Sequence, residues 1–343
     1  MTLTNQLSTI LLRKKLAKAW EGKPFFIKKD SEESLAETML LASALQPTDS
    51  QVDGQTWHDL DLYRVFDQLN YTQSSIGAEA LYQKMRLIKF QPEASLQELE
   101  DFFDHHPDLR LKVQVVMNQL GKKNHNMARS IVANPGKQDS KIYLSLYIFL
   151  ACLPVFSLFF LPFFKIQAMM VLVASATFNI IFSSIRNWSN KMRLDRVSYL
   201  VRIFASTEKL SHLAIPKQEA LKQAVQPFKK TKVISGILQS PTGSSDMEII
   251  LIYLNFLFLI PQIAQVYIYQ QVRIHQKEAQ EAINLLGELE VAISLLRHKR
   301  DVELVCHPYF KKEGGIKGKG IYHPLLTDPV ANDVRFEKNM VIS

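Results

Sequence analysis

IYLSLYIFLACLPVFSLFFLPFFKIQAMMVLVASATFNIIFSSI, residues 142–185, carries a single charge, Lys165. Ile142–Phe164 gives 23 uncharged residues and Ile166–Ile185 another 20. About 20 apolar residues in a helix cross a hydrocarbon layer about 30 Å thick. A buried helix of a soluble protein keeps a polar face, and neither run has one. The pair therefore reads as a membrane-spanning helical hairpin. Pro162 and Lys165 mark its turn, Pro154 only kinks the first arm, and Asn179 serves helix packing. Basic residues flank the base of the hairpin: Lys122, Lys123, Arg129, Lys137 and Lys141 before it, Arg186, Lys191, Arg193 and Arg196 after it. With Lys165 alone on the far side, both long flanks are expected to be cytoplasmic, which makes this a multi-pass protein of the cell (inner) membrane.

The rest of the 343-residue chain is polar enough to bring the mean hydropathy to −0.04. Only 12 glycines and few turn clusters point to helices. Two cysteines make no disulfide framework, and their setting suits a reducing compartment. A signal peptide is not expected, because Arg13, Lys14, Lys15 and Lys18 follow the short apolar run Leu7–Leu12 rather than preceding it.

Five regions follow in order. Residues 1–56 form an N-terminal amphipathic helix and a linker. In the helix, Leu7, Ile10, Leu11, Leu16 and Trp20 lie near one face, read as a docking face rather than a membrane-surface face; the linker is the polar run Gln46–Gln55. Residues 57–141 form a cytoplasmic helical segment, with a helix opening at Ser95 as N-cap, Glu98 three residues on, and another through Leu109–Leu120. The hairpin occupies 142–185. Residues 186–310 form a second helical segment. Within it, Ile249–Tyr269 is long enough to span but holds Asn255, Pro261, Gln262 and Gln265 between basic flanks, and is read as a buried core helix. A long amphipathic helix follows over 271–300, its exposed face carrying Lys277, Glu278, Glu281 and Glu288. Residues 311–343 hold a loop and then short strands through Val330, Val334, Phe336, Met340, Val341 and Ile342.

No catalytic constellation emerges. Lys311–Gly320, KKEGGIKGKG, lacks the GxxxxGK[ST] spacing of a phosphate loop and has no apolar strand leading into it, so it reads as a mobile surface loop. Cys306-His307 and His105-His106 lack a second ligand pair at metal spacing, and no metal site is expected. The net charge of +8 admits contact with phosphate backbones, but anchoring at the membrane face accounts for most of the basic clusters.

The C-terminal segment GIYHPLLTDPVANDVRFEKNMVIS, Gly320–Ser343, resembles the start of the ATPase domain in the MutS family of mismatch-repair proteins. There a His-Pro pair, an Asn-containing turn and an apolar strand lead into a Walker A loop. WHDLDLYRVFDQLNYTQSSIGAEALYQKMR, Trp57–Arg86, is similar to that family's first core helices, with Thr72, Gly77 and Leu81 at the family spacing. Ser95–Leu120 resembles the next pair. LLGELEVAISLL, Leu285–Leu296, and VCHPYF, Val305–Phe310, look like the end of the lever helices.

The resemblance implies a mainly α fold: a helical core and lever, interrupted by a transmembrane hairpin foreign to the soluble members and ended by a short β-rich tail. Pro329, Val330 and Asn332 match the family's adenine-side turn. Pro329 stands where an aromatic residue usually stacks on the base, Val330 would offer backbone contacts, and Asn332 would hold the turn. A turn that merely joins two strands is an equal reading of the same residues. The chain reaches Ser343 where the Walker A loop would begin, so it is expected to hydrolyse no ATP alone and to hold no cofactor. ATP and Mg belong to the domain that follows in the family. Neither a mismatch-reading domain with a Phe-x-Glu wedge nor a DNA clamp is found. The partners implied are the lipid bilayer, DNA, and a second copy through the ATPase domain. The alternative function is a membrane scaffold or adaptor binding anionic lipid or a protein partner, with no nucleic-acid role.

Overall fold

The computed structural model of the chain describes residues 3–22, 29–45, 50–87, 93–135, 141–231, 246–302, 304–306, 308 and 315–336. Over these residues it is mainly helical, with a short antiparallel hairpin near its C-terminal end. The chain divides into two compact units, residues 1–115 with 287–343, and residues 116–286.

The first unit contains α1 (Leu3–Glu21), α2 (Glu32–Leu45), α3 (Gly54–Asp59), α4 (Leu62–Leu69), α5 (Ser75–Arg86) and α6 (Ala94–His105). It also holds the N-terminal half of α7 (Pro107–Leu120) and the C-terminal end of the long helix α13 (Gln276–Asp301). Leu35 and Met39 of α2, Trp57, Phe66, and Ala78, Leu81 and Tyr82 of α5 form one buried cluster with Val291 of α13. The Trp57 ring meets Tyr82 edge-on at 4.9 Å, and its indole N–H donates to Glu32 Oε1 at 3.0 Å. Asp53 caps α3 by accepting from the Thr56 amide, and Ser74 caps α5 by accepting from the Gly77 amide.

Several details depart from the sequence reading. Glu32–Leu45 is a helix ahead of the polar run read as a linker, because Leu35 and Met39 recur one turn apart and find the face of α5. Residues at the end of that run are ordered too: the Val52 amide donates to Arg86 O at 2.8 Å. The helix expected from Ser95 begins at Ala94 with Glu93 as its N-cap, so Ser95 lies inside the first turn and caps nothing. In α1 the five apolar positions do not share a face. Leu16 and Trp20 are buried, whereas Leu7, Ile10 and Leu11 are exposed, as a 100° step per residue requires.

The second unit holds the end of α7, α8 (Ala128–Ala133), α9 (Lys141–Ser211), α10 (Gln218–Val225), a 3₁₀ turn (Gln226–Phe228), α11 (Asp246–Leu257), α12 (Ile260–Ile274) and the start of α13. The helix α9 runs 71 residues but is broken at Phe164 and Lys165, whose backbone angles are not helical. Pro154 sits inside the first arm without a break. Beyond the apolar region α9 continues into a packed segment, where Phe204 and Phe228 stack at 3.9 Å and Tyr199 donates to Gly121 O at 3.1 Å. Arg129 donates to Asn284 Oδ1 at 3.0 Å, and Gln276 to Val132 O at 2.8 Å.

Ile249–Tyr269 is not the single buried helix expected. Leu259 adopts a left-handed backbone (φ 52°), and the helices on either side of it meet at 64°. Pro261, in the first turn of α12, lacks the N–H that a continuous helix would need. α11 exposes Ile249, Ile250, Leu251, Tyr253 and Leu254, while α12 buries Ala264, Val266, Ile268 and Val272.

Near the C-terminal end, β1 (Ile316–Ile321) pairs antiparallel with β2 (Asn332–Phe336), Ile316 facing Phe336 and Gly318 facing Val334. Part of the stretch read as a surface loop is therefore a strand; its glycines and lysines became regular through a partner strand some fifteen residues on. Gly320 takes φ 61° at the irregularity between Gly318 and Ile321, and its amide donates to Asp333 Oδ1 at 2.9 Å. The expected strand residues Met340, Val341 and Ile342 lie outside the described residues.

Candidate functional site

Three features of this fold have the residues to do something. The first is the pair of apolar arms of α9. Asn179 on the second arm donates from Nδ2 to Leu150 O on the first at 2.8 Å, and the Tyr147 and Phe182 rings lie 6.0 Å apart. Both pairs are symmetric about the Phe164–Lys165 break, so the arms run antiparallel as a hairpin. Asn179 also donates to Leu257 O at 2.9 Å, which ties the end of α11 to both arms. One turn further along, Gln262 of α12 donates to Ser183 Oγ at 3.0 Å. At the base, Arg186 donates to the Tyr147 hydroxyl at 3.1 Å.

These polar groups point inward, and what faces outward is apolar. Phe149, Phe156, Phe159, Phe163, Ile166 and Met170 are each more than 60% exposed. Only 17% of the most apolar stretch of Ile142–Arg186 is buried. Among the described residues this helix is long and apolar enough to cross a membrane, and the bent pair of α11 and α12 meets the same criterion only if taken as one span. A first arm of 22 residues is about 33 Å long at 1.5 Å per residue, close to the apolar thickness of a bilayer.

The second feature joins α13 to the N-terminus of α5. Glu290, 3% exposed, accepts from the Gln73 amide at 2.6 Å, from the Ser74 amide at 3.2 Å, and from the Ser74 hydroxyl. A carboxylate at a helix N-terminus meets both unpaired N–H groups and the positive end of the helix dipole. The approach is close because residue 77 is glycine: a Cβ there would lie 2.3 Å from Glu290 Oε2 and 2.7 Å from its Cβ. One turn on, Ser294 accepts from the Tyr71 amide at 2.8 Å and donates to Leu69 O at 2.6 Å.

The last turn of α13 extends the joint. Tyr71 donates to Asp301 Oδ2 at 2.7 Å; burial, followed by this bond, pushes its phenol up to about 12. Arg297 pairs with Asp301, Lys299 with Glu100, and Arg300 with Asp104. Arg110 lies 3.7 Å above the Trp20 ring; burial first, then the neighbouring Arg300, lowers it to about 10.

The turn at Pro329, Val330 and Asn332 is the third feature. Asn332 opens β2 and donates from Nδ2 to Val330 O at 3.1 Å, closing the turn on itself. Pro329, Val330 and Asn332 are all exposed, Val330 at 75%. Gln68 holds the preceding loop by donating to Pro324 O at 3.1 Å. These residues lie open on a surface turn and include no cation for phosphates. Thr72, Gly77 and Leu81 come together at the α5–α13 joint, where Thr72 donates to Asn70 Oδ1 at 2.6 Å. Glu290 is the residue that spacing alone passes over. Its signal is a lone acid among the buried positions Leu286, Leu289 and Ile293.

His105 and His106 each bond the carbonyl four residues back, Asp101 and Phe102, at 2.7 and 2.8 Å. Among the described residues no group of three or more His, Cys, Asp and Glu side chains is placed to hold a metal ion. His307 lies outside them. No family model matches this chain, and neither a curated protein nor a solved structure matches it.

Proposed function

We propose that this chain is the membrane-anchored core and lever part of a MutS-like ATPase, in which nucleotide state moves the long helices and the chain alone performs no hydrolysis. The observation that carries the proposal is the joint at Glu290. Trp57–Arg86 and Leu285–Leu296 carry the resemblance on independent residues, and they pack on one another through Glu290, Ser74 and Gly77, contacts up to 217 positions apart in the chain. Sliding α13 against α5 would strand two buried amide donors at once, which couples the position of one helix to the other.

The exposed apolar arms of α9 support the anchoring part of the proposal. Placed in water, six aromatic and aliphatic side chains this open would form an apolar patch far larger than soluble monomers tolerate. In a bilayer they face acyl chains. Asn179, Ser183 and Gln262 meet inside the bundle, as polar residues in membranes do. Lys165 at the tip and the basic residues at the base set an orientation with both flanks in the cytoplasm. DNA, reached from that face, and a second copy are the proposed partners, and ATP with Mg the proposed cofactors of the domain that would follow Ser343.

The test begins with the coding sequence downstream of Ser343, which is expected to continue into GxxxxGK[ST]. Hydrogen exchange is then measured on the protein that includes it, with and without a non-hydrolysable ATP analogue and Mg. Nucleotide should change exchange at residues 73–77 and 285–296. A stop codon after Ser343, or unchanged exchange in both segments, overturns the ATPase reading and leaves a membrane scaffold in its place.

A further inference from the structure

The helix α1 presents two opposed apolar faces, and the fold uses one. Leu16 and Trp20 are buried, and Thr9, Leu12 and Ala19 on the same side are half-buried. On the opposite side, Leu7, Ile10 and Leu11 are 60%, 53% and 66% exposed. Continuing along that side by the same helical spacing come Lys14, Lys15 and Lys18, all exposed. Arg13 lies off this stripe and pairs with Asp108 at 3.6 Å. No acidic residue falls between Leu3 and Trp20. The outward face is thus apolar for one turn and basic for the next.

We propose that this face of α1 lies on an anionic bilayer surface, with Leu7, Ile10 and Leu11 in the headgroup–acyl boundary and the lysines among the lipid phosphates. Three features favour lipid over a protein surface. Isolated exposed apolar side chains are ordinary, but three adjoining ones on a helix already docked by its other face form a patch the fold leaves uncovered. Lysine stems reach along apolar surface and deliver their charge to a headgroup layer, which accepts them in any register. A charge run of one sign beside that patch complements the cytoplasmic leaflet, where each lysine contributes roughly fivefold in partitioning, or about a hundredfold for the three.

The proposal rests on the membrane reading of the α9 hairpin, and two labels keep their failures apart. The full chain, with Cys152 and Cys306 replaced by serine, carries an environment-sensitive fluorophore on either Leu11→Cys or Phe159→Cys. It is reconstituted into vesicles of phosphatidylcholine alone or with about 30 mol% phosphatidylserine. At 159 the fluorophore should be quenched by lipids doxylated deep in the acyl chain in both compositions. A label there that stays aqueous overturns the hairpin reading, whatever position 11 does.

At 11 the expected result is quenching by shallow-doxyl lipid and protection from iodide in the anionic vesicles. Both should fade with salt and disappear in Lys14→Glu/Lys15→Glu/Lys18→Glu. If 159 is embedded while 11 stays open to iodide, the α1 proposal is wrong. Protection at 11 without any lipid quenching also overturns it, because a protein surface, such as a second copy, then covers the face.

Discussion

Replacing Glu290 by alanine removes the shared acceptor of two buried backbone amides, Gln73 and Ser74, at the start of α5. The Ser74 hydroxyl keeps its second role, accepting from the Gly77 amide at 3.2 Å. Each buried donor left unpaired costs about 1–3 kcal/mol. Two give about 2–6 kcal/mol, and the loss of favourable charge at the helix N-terminus adds up to about 1 kcal/mol. Relief of the desolvation of a carboxylate that is 3% exposed works in the opposite direction. The stranded amides dominate, and a net loss of about 3 kcal/mol is expected. In a unit of this size about 1 kcal/mol moves the midpoint by roughly 2–4 °C, so Glu290→Ala should unfold about 6–12 °C earlier in detergent. Glu290→Gln keeps one acceptor and should lose about a third of that. Glu281→Ala, on the exposed side of the same helix, should shift the midpoint by less than about 2 °C. Hydrogen exchange locates the effect, with Gln73 and Ser74 amides accelerating most. If Glu290→Ala melts within a degree or so of the parent and those amides keep their protection, the joint is not holding the two helices and the reasoning fails.

Gly77→Ala forces a Cβ against the stem of Glu290 and should cost about 1–3 kcal/mol; combined with Glu290→Ala the two losses should add to clearly less than their sum, which a double-mutant cycle by thermal unfolding measures. Asn179→Leu removes the donor shared by Leu150 O and Leu257 O and should lower unfolding stability in mixed micelles by roughly 0.6–1.7 kcal/mol; no change would show the three segments held by packing alone. Burial lowers the His298 imidazole below its ordinary value, so as the pH falls below about 6.5 the unfolded chain takes up a proton the folded chain refuses. The destabilisation grows until the pH reaches the lowered folded value and then levels off, and His298→Asn should flatten the fall in melting midpoint between about pH 7 and pH 5. Lys165→Cys in a Cys306→Ser background should react with an impermeant maleimide from outside intact cells, and native Cys306 only after lysis; equal labelling of both from outside contradicts the hairpin orientation.

How much of this was legible in the sequence follows from the range of the forces involved. Residues 142–185 declare themselves because apolar character is written in composition alone: charge is absent over two runs each long enough for a helix of about 30 Å, and Lys165 marks the place where the backbone turns. Asn179 was readable as a packing residue for the same reason, since an amide in an apolar helix must find a partner. Helix α2 was hidden because a short segment with charges needs its partner face before Leu35 and Met39 mean anything. Strand β1 was hidden because glycines and lysines have no strand preference until β2 lies alongside. Within α1, composition predicted an amphipathic helix but could not say which apolar residues the fold would use.

What the sequence determined by itself is therefore the helical class and the apolar hairpin with its turn. Tertiary structure alone decided that Glu290 is buried on the N-terminus of α5, that Gly77 is glycine because of it, that α11 and α12 part at Leu259, and that one face of α1 is left uncovered. Hydrophobic content and helical period are written locally, residue by residue. A hydrogen bond between positions 74 and 290, or an uncovered patch, exists only once distant segments have met.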